Sequence, residues 1–289
     1  MVVPAYPTRK AHLDMIHLSL WILGPILIGT IVGFLVCVAL ANPATTVKLH
    51  RVMAHKALTL AGAVDFSYRA VIWITTGIRP GEWVAVHRVH HRYTDVEGDP
   101  HSPYLLTINE VEFHNGRVYR EWLNQHPNAR QMFKDTHPDW WDLKLFDRSR
   151  LGLFIGISLL AIVTYCSSRE LDYGLLGAIY LTVMITAVAS VSHALLYLWL
   201  GGCVNGRCHW LNGYQNYKNN LAKNKRWVAL LTSGEGLHNN HHGDQNDYRL
   251  WRKWWEMPFD MGWWLHIKPL MVLGLARPRQ LRVAAAEAA

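Results

Sequence analysis

The residues with the clearest chemical potential in this sequence are eight clustered histidines. On a helix, positions i, i+3 and i+4 share a face, so an H-x2-HH cluster can present three imidazoles to one pocket. Neutral imidazole is the commonest metal ligand, and it suits zinc, copper, iron and nickel. The clusters therefore predict a metal centre, and their members are the H-x4-H pair His50 and His55 and the H-x2-HH sets His87, His90, His91 and His238, His241, His242.

The size of this histidine set predicts two metal ions rather than one, because a tetrahedral zinc takes only three or four protein ligands. The four cysteines do not form a thiolate set, which argues against an iron–sulfur cluster. We expect His101, in "GDPHSP", to be a turn residue. We expect no metal role for the unclustered histidines His12, His17, His114, His126, His137, His193 and His266.

Long apolar segments must position these clusters. Residues 16–41 carry no charge apart from a possible one on His17, and residues 151–202 form a second apolar region. A membrane span needs about 20 apolar residues. The first region therefore predicts one span, and the second predicts a hairpin of two spans, 151–167 and 174–200. A cleavable signal peptide is the alternative for the first region, but its apolar core would be shorter.

Residues 57–78 are ambiguous because they are apolar but contain Asp65 and Arg69. If this segment crossed the membrane, His50 and His87 would lie on opposite faces and could not share a site. We therefore expect it to lie at the interface or to dip into the membrane and return. Such an arrangement keeps all three clusters on one side.

The sequence thus predicts an all-α integral membrane protein with three to four transmembrane helices and a helical cap. We expect one domain over 1–289, with cytoplasmic blocks 42–150 and 201–289. The net charge of +8 could suggest nucleic acid, but 14 of the 29 Lys and Arg residues lie in the first block and 12 in the second. That asymmetry matches the positive-inside rule. We expect no nucleic-acid partner and a bacterial inner membrane as the location.

Several motifs together resemble the integral-membrane fatty acid desaturases, and within them the Δ9, stearoyl-desaturase-like branch. The order of H-x4-H, H-x2-HH, apolar hairpin and H-x2-HH is one part of the resemblance. The others are "LHRVMAHKAL", "EWVAVHRVHHRYTD", "GDPHSP", "CVNGRCHW" and "SGEGLHNNHHGD". The resemblance covers roughly residues 20 to 265.

The resemblance implies an O2-dependent enzyme that inserts a cis double bond, at Δ9 in this branch, into a fatty acyl chain. It also implies two iron ions, with Asn205 reaching iron through water. Glu235, Asp244, Asp95 and Asp99 are candidates to orient the imidazoles. The implied iron ligands are His50, His55, His87, His90, His91, His209, His238, His241 and His242.

Two other functions remain open on the residues alone. A di-iron hydroxylase of the alkane or carotenoid type would share the histidine clusters, although Asn205, His209 and "GEGLHNNHHGD" favour a desaturase. A membrane metal transporter would need polar residues within its spans, and the spans of this chain have few.

The chain departs from the family where animal-type acyl-CoA desaturases carry an Arg-Asp pair that contacts CoA. Ala85 and Val86 occupy those positions. The acyl carrier could therefore be a membrane lipid, or CoA or a carrier protein whose thioester is held by residues such as Arg79 or Arg92. The sequence contains neither a cytochrome b5-like "HPGG" nor G-x-G-x-x-G. We therefore expect a separate electron donor of the ferredoxin, rubredoxin or cytochrome b5 type.

Overall fold

Three long apolar helices confirm the all-α membrane fold. The computed structural model describes residues 9–210 and 212–279, and side chains from residue 19 onward; the ends of the predicted domain 1–289 lie outside these residues. Within them, the helices long and apolar enough to cross a membrane are Ser19–Ala54, Ser149–Glu170 and Gly174–His209. The division into one domain with the predicted span boundaries stays a prediction.

Shorter elements form a polar cap at one end of these helices. Two strands pair antiparallel, β1 (Leu58–Leu60) with β2 (Ala276–Pro278). Single turns or short runs of 3₁₀-helix lie at Ala129–Gln131, Lys134–Thr136, Arg207–His209 and Trp254–Phe259, and of π-helix at Asp142–Phe146 and Gly262–Ile267. The α-helices are α1 (Arg9–Leu35), α2 (Gly62–Thr75), α3 (Pro80–Tyr93), α4 (Ile108–Phe113), α5 (Asn115–Gln125), α6 (Ser149–Glu170), α7 (Gly174–Asn205), α8 (Arg226–Leu231), α9 (His238–Gly243) and α10 (Lys268–Val272).

Helix α1 continues beyond residue 41 into the cap. A π-helical run, a short α-helical turn and a second π-helical run follow without a break, at Val36–Ala41, Asn42–Ala44 and Thr45–Ala54. Residues 42–54 are more polar than the span, yet nearly all are buried, including Lys48, which pairs with Asp65. The helix persists because its polar side chains meet protein rather than lipid. It thereby carries the first histidine cluster beyond the apolar part of the helix.

Small residues let the long helices approach each other closely, as is common in membrane proteins. A Cβ atom at Gly33 of α1 would lie 2.5 Å from the carbonyl oxygen of Ala189 on α7. A Cβ atom at Gly152 of α6 would lie 2.5 Å from the carbonyl oxygen of Trp73 on α2. These contacts hold α1 against α7 and α2 against α6.

Helix α2 falls in the segment 57–78 whose crossing the sequence left open. It has 14 residues, fewer than the about 20 that a span requires. It packs between the start of α6 and the continuation of α1. The clusters before and after it lie together in the cap, as the next section describes. The interfacial placement of this segment stays a prediction.

A buried ion pair ties the continuation of α1 to the C-terminal part of the cap. Arg51 donates from Nη2 to Asp260 Oδ1 (2.7 Å) and from Nη1 to the carbonyl oxygen of Tyr248 (2.9 Å). Asp260 also accepts the backbone N–H groups of Leu250 (2.7 Å) and Trp263 (3.1 Å). Both charged side chains are at most 2% exposed. The pair therefore fixes three separate segments around one point.

Candidate metal centre

The structure gathers all nine histidines of the predicted ligand set into two groups. Within each group, one ring nitrogen per residue lies within 4.8 Å of every other. The groups use every one of the nine once, although their role as ligands stays a prediction. The five-histidine group contains His50, His55, His87, His91 and His241, and the four-histidine group contains His90, His209, His238 and His242.

The Nε2 atoms face one another inside each group. In the five-histidine group, His241 Nε2 lies 3.0 Å from His50 Nε2 and 2.9 Å from His91 Nε2. In the four-histidine group, His238 Nε2 lies 2.9 Å from His209 Nε2 and 3.2 Å from His242 Nε2. Each group is thus a cluster of convergent nitrogen donors, which is the arrangement a metal ion requires.

Each H-x2-HH cluster divides its imidazoles between the two groups instead of aiming all three at one place. Helix α3 gives His87 and His91 to the five-histidine group and His90 to the four-histidine group. On α9 the division is reversed: His241 belongs to the larger group, and its neighbours His238 and His242 to the smaller. The two groups therefore share both helices and form one centre.

A π-helical turn explains how the H-x4-H pair can act together. In an α-helix, two residues five apart would point about 140° away from each other. Here the backbone N–H of His55 donates to the carbonyl oxygen of His50 (3.0 Å), a five-residue π-type bond. The wider turn brings both residues to one face, and their ring centroids are 4.7 Å apart.

Carboxylates contact the Nδ1 atom of three histidines whose Nε2 atoms lie within the two groups. Glu235 contacts Nδ1 of His50 at 2.8 Å and also accepts from Thr46. Two more contacts of this kind are Asp99 with His90 Nδ1 (2.9 Å) and Asp95 with His209 Nδ1 (2.8 Å). A proton held on Nδ1 leaves the Nε2 lone pair free for a metal.

The fourth carboxylate candidate, Asp244, does not take part in this way. Its side chain is exposed, and its nearest ion-pair partner is Arg252 at 3.7 Å. Asp95, in contrast, has a left-handed φ of +61°. Such a conformation costs energy in a non-glycine residue and often marks a functional site. Of the four carboxylates that proximity in the sequence singled out, three contact an imidazole Nδ1.

Burial favours the neutral form of six of these histidines. The pKa of His55, His87, His91, His238, His241 and His242 is held well below 6.5, first by burial and then by neighbouring histidines. A neutral imidazole is the form that binds metal. The residues present therefore fit a metal that accepts nitrogen ligands, such as iron, zinc or copper.

These lowered pKa values predict that the metal-free protein loses stability in mild acid. The unfolded chain binds protons near pH 6.5 and the folded chain does not, so acid favours unfolding. Each such histidine contributes up to about 1.4 kcal/mol per pH unit below that point. Chelator-treated protein should show a falling melting temperature from pH 7 to pH 5. A melting temperature constant across this interval would contradict the prediction.

The carboxylate contacts predict that Asp99→Asn weakens metal binding by about 10- to 100-fold. Asp99 also accepts the backbone N–H groups of Asp95 (2.8 Å) and His101 (3.0 Å). The amide retains only one acceptor oxygen, so His90 loses its charged partner. Competition with a chelator of known affinity measures the change. Asp244→Asn, which alters an exposed carboxylate, is the control and should retain the affinity of the unmodified protein.

Two asparagines inside the last cluster proved to have a structural role that the sequence gave no sign of. Asn240 is fully buried and satisfied: its Oδ1 accepts from Asn216 and Asn224, both at 2.8 Å. Its Nδ2 donates to Glu256 Oε2 and to the carbonyl oxygen of Leu250, both at 2.9 Å. This network holds α9 in place from the side opposite the imidazoles.

His101 lies in a turn, as expected, but it is also buried and forms a third candidate metal-binding group with His90 and Asp99. Its ring stacks on His90 with centroids 4.4 Å apart, and its Nδ1 has no hydrogen-bond partner. Burial lowers its pKa to about 3. The side chains of His12 and His17 lie outside the described residues. Five other histidines stand outside both groups, and they are His114, His126, His137, His193 and His266.

A cavity of about 330 Å³ lies against both histidine groups. His50 and His87 of the larger group line it, as do His90 and His238 of the smaller. Asn205 lines it too, and its Nδ2 donates to Asn115 Oδ1 (3.1 Å). A molecule in this cavity would contact both groups at once.

The residues just before the second cluster are apolar and buried. Ala85 and Val86 are 0% and 3% exposed and pack against Trp122 of α5. Neither Arg79 nor Arg92 lines the cavity. Helix α5 thus covers Ala85 and Val86, the two positions at which this chain lacks the Arg-Asp pair of animal-type acyl-CoA desaturases.

Comparison with known proteins identifies the family of this chain. The chain belongs to the fatty acid desaturase family, whose profile matches residues 25–258. It is therefore an oxidoreductase that acts on fatty acyl chains.

Curated relatives share 26–30% identity with most of the chain. One is an Acyl-CoA C20 Delta5-desaturase of Anemone leveillei, 30% identical over 80% of this chain and 67% of its own. Another is an sn-1 stearoyl-lipid 9-desaturase of Synechocystis, 27% identical over 86% and 71%. A third is a Delta-9 desaturase-like 4 protein of Arabidopsis thaliana, 27% identical over 84% and 73%.

Proposed function

We propose that this chain is an O2-dependent desaturase that inserts a cis double bond at Δ9 into a saturated acyl chain, carried on CoA or on a membrane lipid. The observation that carries the proposal is the cavity, which contacts both histidine groups. An unactivated C–H bond is beyond acid–base chemistry by side chains, so a redox metal must supply the oxidant. The names of two relatives, a Delta-9 desaturase-like protein and a stearoyl-lipid 9-desaturase, support Δ9.

We assign the nine histidines as ligands of two iron ions, with one ion in each group and Asn205 acting through water. Bound there, two irons would supply, with O2 and two electrons, the power to remove two hydrogens from the chain. The protein contributes neutral imidazoles, the carboxylates that orient them, and a largely apolar cavity that excludes water from the acyl chain. Iron analysis of the purified protein should give about two ions per chain.

The sequence supports a proposal for the type of electron donor and for the side of the membrane on which the cap lies. A separate donor of the ferredoxin, rubredoxin or cytochrome b5 type would deliver the electrons, and the basic cap suits an acidic donor. The distribution of Lys and Arg supports a cytoplasmic location of the cap. The bacterial inner membrane stays a prediction.

Expression in a host without its own desaturase tests the proposal. Fatty acid methyl esters are analysed by mass spectrometry that locates the double bond. A new cis-Δ9 monoene is the expected product. A hydroxylated fatty acid would overturn desaturation, and a monoene at another carbon would overturn Δ9 alone. A variant with His238 replaced by alanine controls for activity of the host.

A further inference from the structure

An exposed aromatic patch precedes the membrane-spanning helix α6. Trp140 is 60% exposed, Trp141 44% and Leu143 59%. Phe66 of α2 is 37% exposed, and its ring centroid lies 5.1 Å from that of Trp141. The centroids of Trp140 and Trp141 are 4.7 Å apart. Large apolar side chains grouped on a surface mark a contact with a partner or a membrane.

This patch lies at the level where the span begins. The segment 139–147 is tied to α2 by Arg69, which donates to Asp139 (2.8 Å) and Asp142 (2.6 Å). Helix α2 is tied in turn to the start of α6, because Trp73 Nε1 donates to the carbonyl oxygen of Arg148 (3.1 Å). Tryptophan concentrates at the boundary between lipid and water. The patch is therefore placed to lie among the headgroups of the bilayer.

A second apolar surface adjoins α2 on the C-terminal side of the cap. Tyr68 of α2 and His266 are hydrogen-bonded, with 3.0 Å between the hydroxyl oxygen and Nδ1. Leu265 beside this contact is 61% exposed, and Val272 and Leu273 at the end of α10 are 79% and 69% exposed. Helix α2 thus contacts an exposed apolar surface through Phe66 and another through Tyr68.

The uncompensated charge of these three segments, 62–75, 139–150 and 262–279, is positive. Their four acidic side chains all form ion pairs, with Lys48, Arg69 or Arg130 as the partner. Five exposed cations have no ion-pair partner in the described part of the chain. They are Lys144, Arg148, Arg150, Arg277 and Arg279. Basic side chains beside exposed apolar ones match a bilayer surface that carries negative charge.

We infer that these three segments rest in the headgroup region and bind anionic phospholipids in preference to zwitterionic ones. None of the five cations lines the cavity, so a lipid held here is a ligand of the surface and not the substrate. A soluble acidic protein fits less well, because it would have to reach the aromatic patch at the very start of a span. The inference goes beyond the proposed desaturase function and does not depend on it.

Photo-crosslinking with two lipid probes tests the headgroup preference. The protein in phosphatidylcholine nanodiscs receives an equal mole fraction of a phosphatidylglycerol or a phosphatidylcholine probe, each with a diazirine beside the phosphate. The phosphatidylglycerol probe should label peptides from 139–150 at least about fivefold more strongly, the factor that one basic residue contributes near an anionic surface. The preference should shrink as salt is raised. Equal labelling by both probes, or labelling by neither, would overturn the inference.

Two double variants link the preference to this surface. Arg148→Gln with Arg150→Gln should abolish most of it. Arg92→Gln with Lys218→Gln is the control, because it removes two exposed cations of the cap that lie outside the three segments. The control should keep the preference. Equal loss in both variants would assign the effect to net charge, and a full preference in the first variant would assign it elsewhere; either result contradicts the inference.

Fluorescence quenching tests the depth of the aromatic patch independently of charge. The difference in emission between the unmodified protein and a Trp140→Phe, Trp141→Phe variant belongs to this pair. We expect lipid brominated near the carbonyl end of its chains to quench that difference, and aqueous iodide to leave it nearly unchanged. Quenching by iodide alone would show that the patch faces water. None of these measurements requires turnover, so failure of the desaturase proposal in the expression test would leave this inference standing, and the reverse also holds.

Discussion

The His241→Ala protein should lose at least about 100-fold of its desaturase activity and should lose bound metal. Removal of a residue that only hydrogen-bonds to a metal ligand already lowers metal affinity or activity by about 10- to 100-fold. His241 is the only contribution of α9 to the five-histidine group, and it is 1% exposed. Its Nε2 lies 3.0 Å from that of His50 and 2.9 Å from that of His91. Alanine would leave these two nitrogens without the donor between them.

Metal content by plasma mass spectrometry and monoene yield measure this effect. His266→Ala is the control, because His266 is half-buried and hydrogen-bonded, to Tyr68 at 3.0 Å, but stands outside both groups. It should keep its metal and its activity. If His241→Ala kept two ions per chain and a normal monoene yield, His241 could not be a ligand.

The Asp260→Ala protein should be less stable by about 3–5 kcal/mol, the usual cost of removing one partner of a buried ion pair. Arg51 would remain buried with an uncompensated charge. The backbone N–H groups of Leu250 and Trp263 would lose their acceptor as well. Because Arg51 adjoins His50, the larger histidine group should loosen along with the cap.

Denaturation of the chelated protein in detergent measures the loss of stability. Asp244→Ala is the control, since its ion pair with Arg252 is half-exposed and 3.7 Å long, and such surface pairs contribute about 0–1 kcal/mol. The double variant Arg51→Met, Asp260→Leu should recover part of the stability by removing both charges. Equal stability of Asp260→Ala and the control would show that the pair contributes little.

Spacing on a helix is a local property, so the sequence alone singled out eight of the nine grouped histidines, whereas His209 came only from the resemblance to the desaturase family. The sequence also predicted the three apolar helices, because hydropathy reports contact with lipid. It did not predict that α1 continues to Ala54, since residues 42–54 meet protein, and hydropathy does not distinguish buried polar residues from exposed ones. The buried contacts of Lys48 and Arg51 depend on partners far along the chain.

The division of each cluster between two groups has a geometric cause that counting ligands overlooked. Consecutive residues on an α-helix are separated by about 100° around its axis. His90 and His91 therefore diverge, while His87 and His91 stay within about 40° of each other. The roles of Asn239 and Asn240 could not be predicted without the fold, because their hydrogen-bond partners, such as Asn216, lie in a loop about 20 residues away.

Two exposed residues that line the cavity, Leu153 on α6 and Leu198 on α7, have a consequence for enzyme kinetics. If acyl chains pass Leu153 and Leu198, then the enzyme and its substrate meet in two dimensions. Their encounter rate depends on the mole fraction of saturated lipid in the bilayer and not on its bulk concentration in the sample. Adding more membrane of the same composition would then leave saturation unchanged, whereas diluting the saturated lipid with another lipid would lower it.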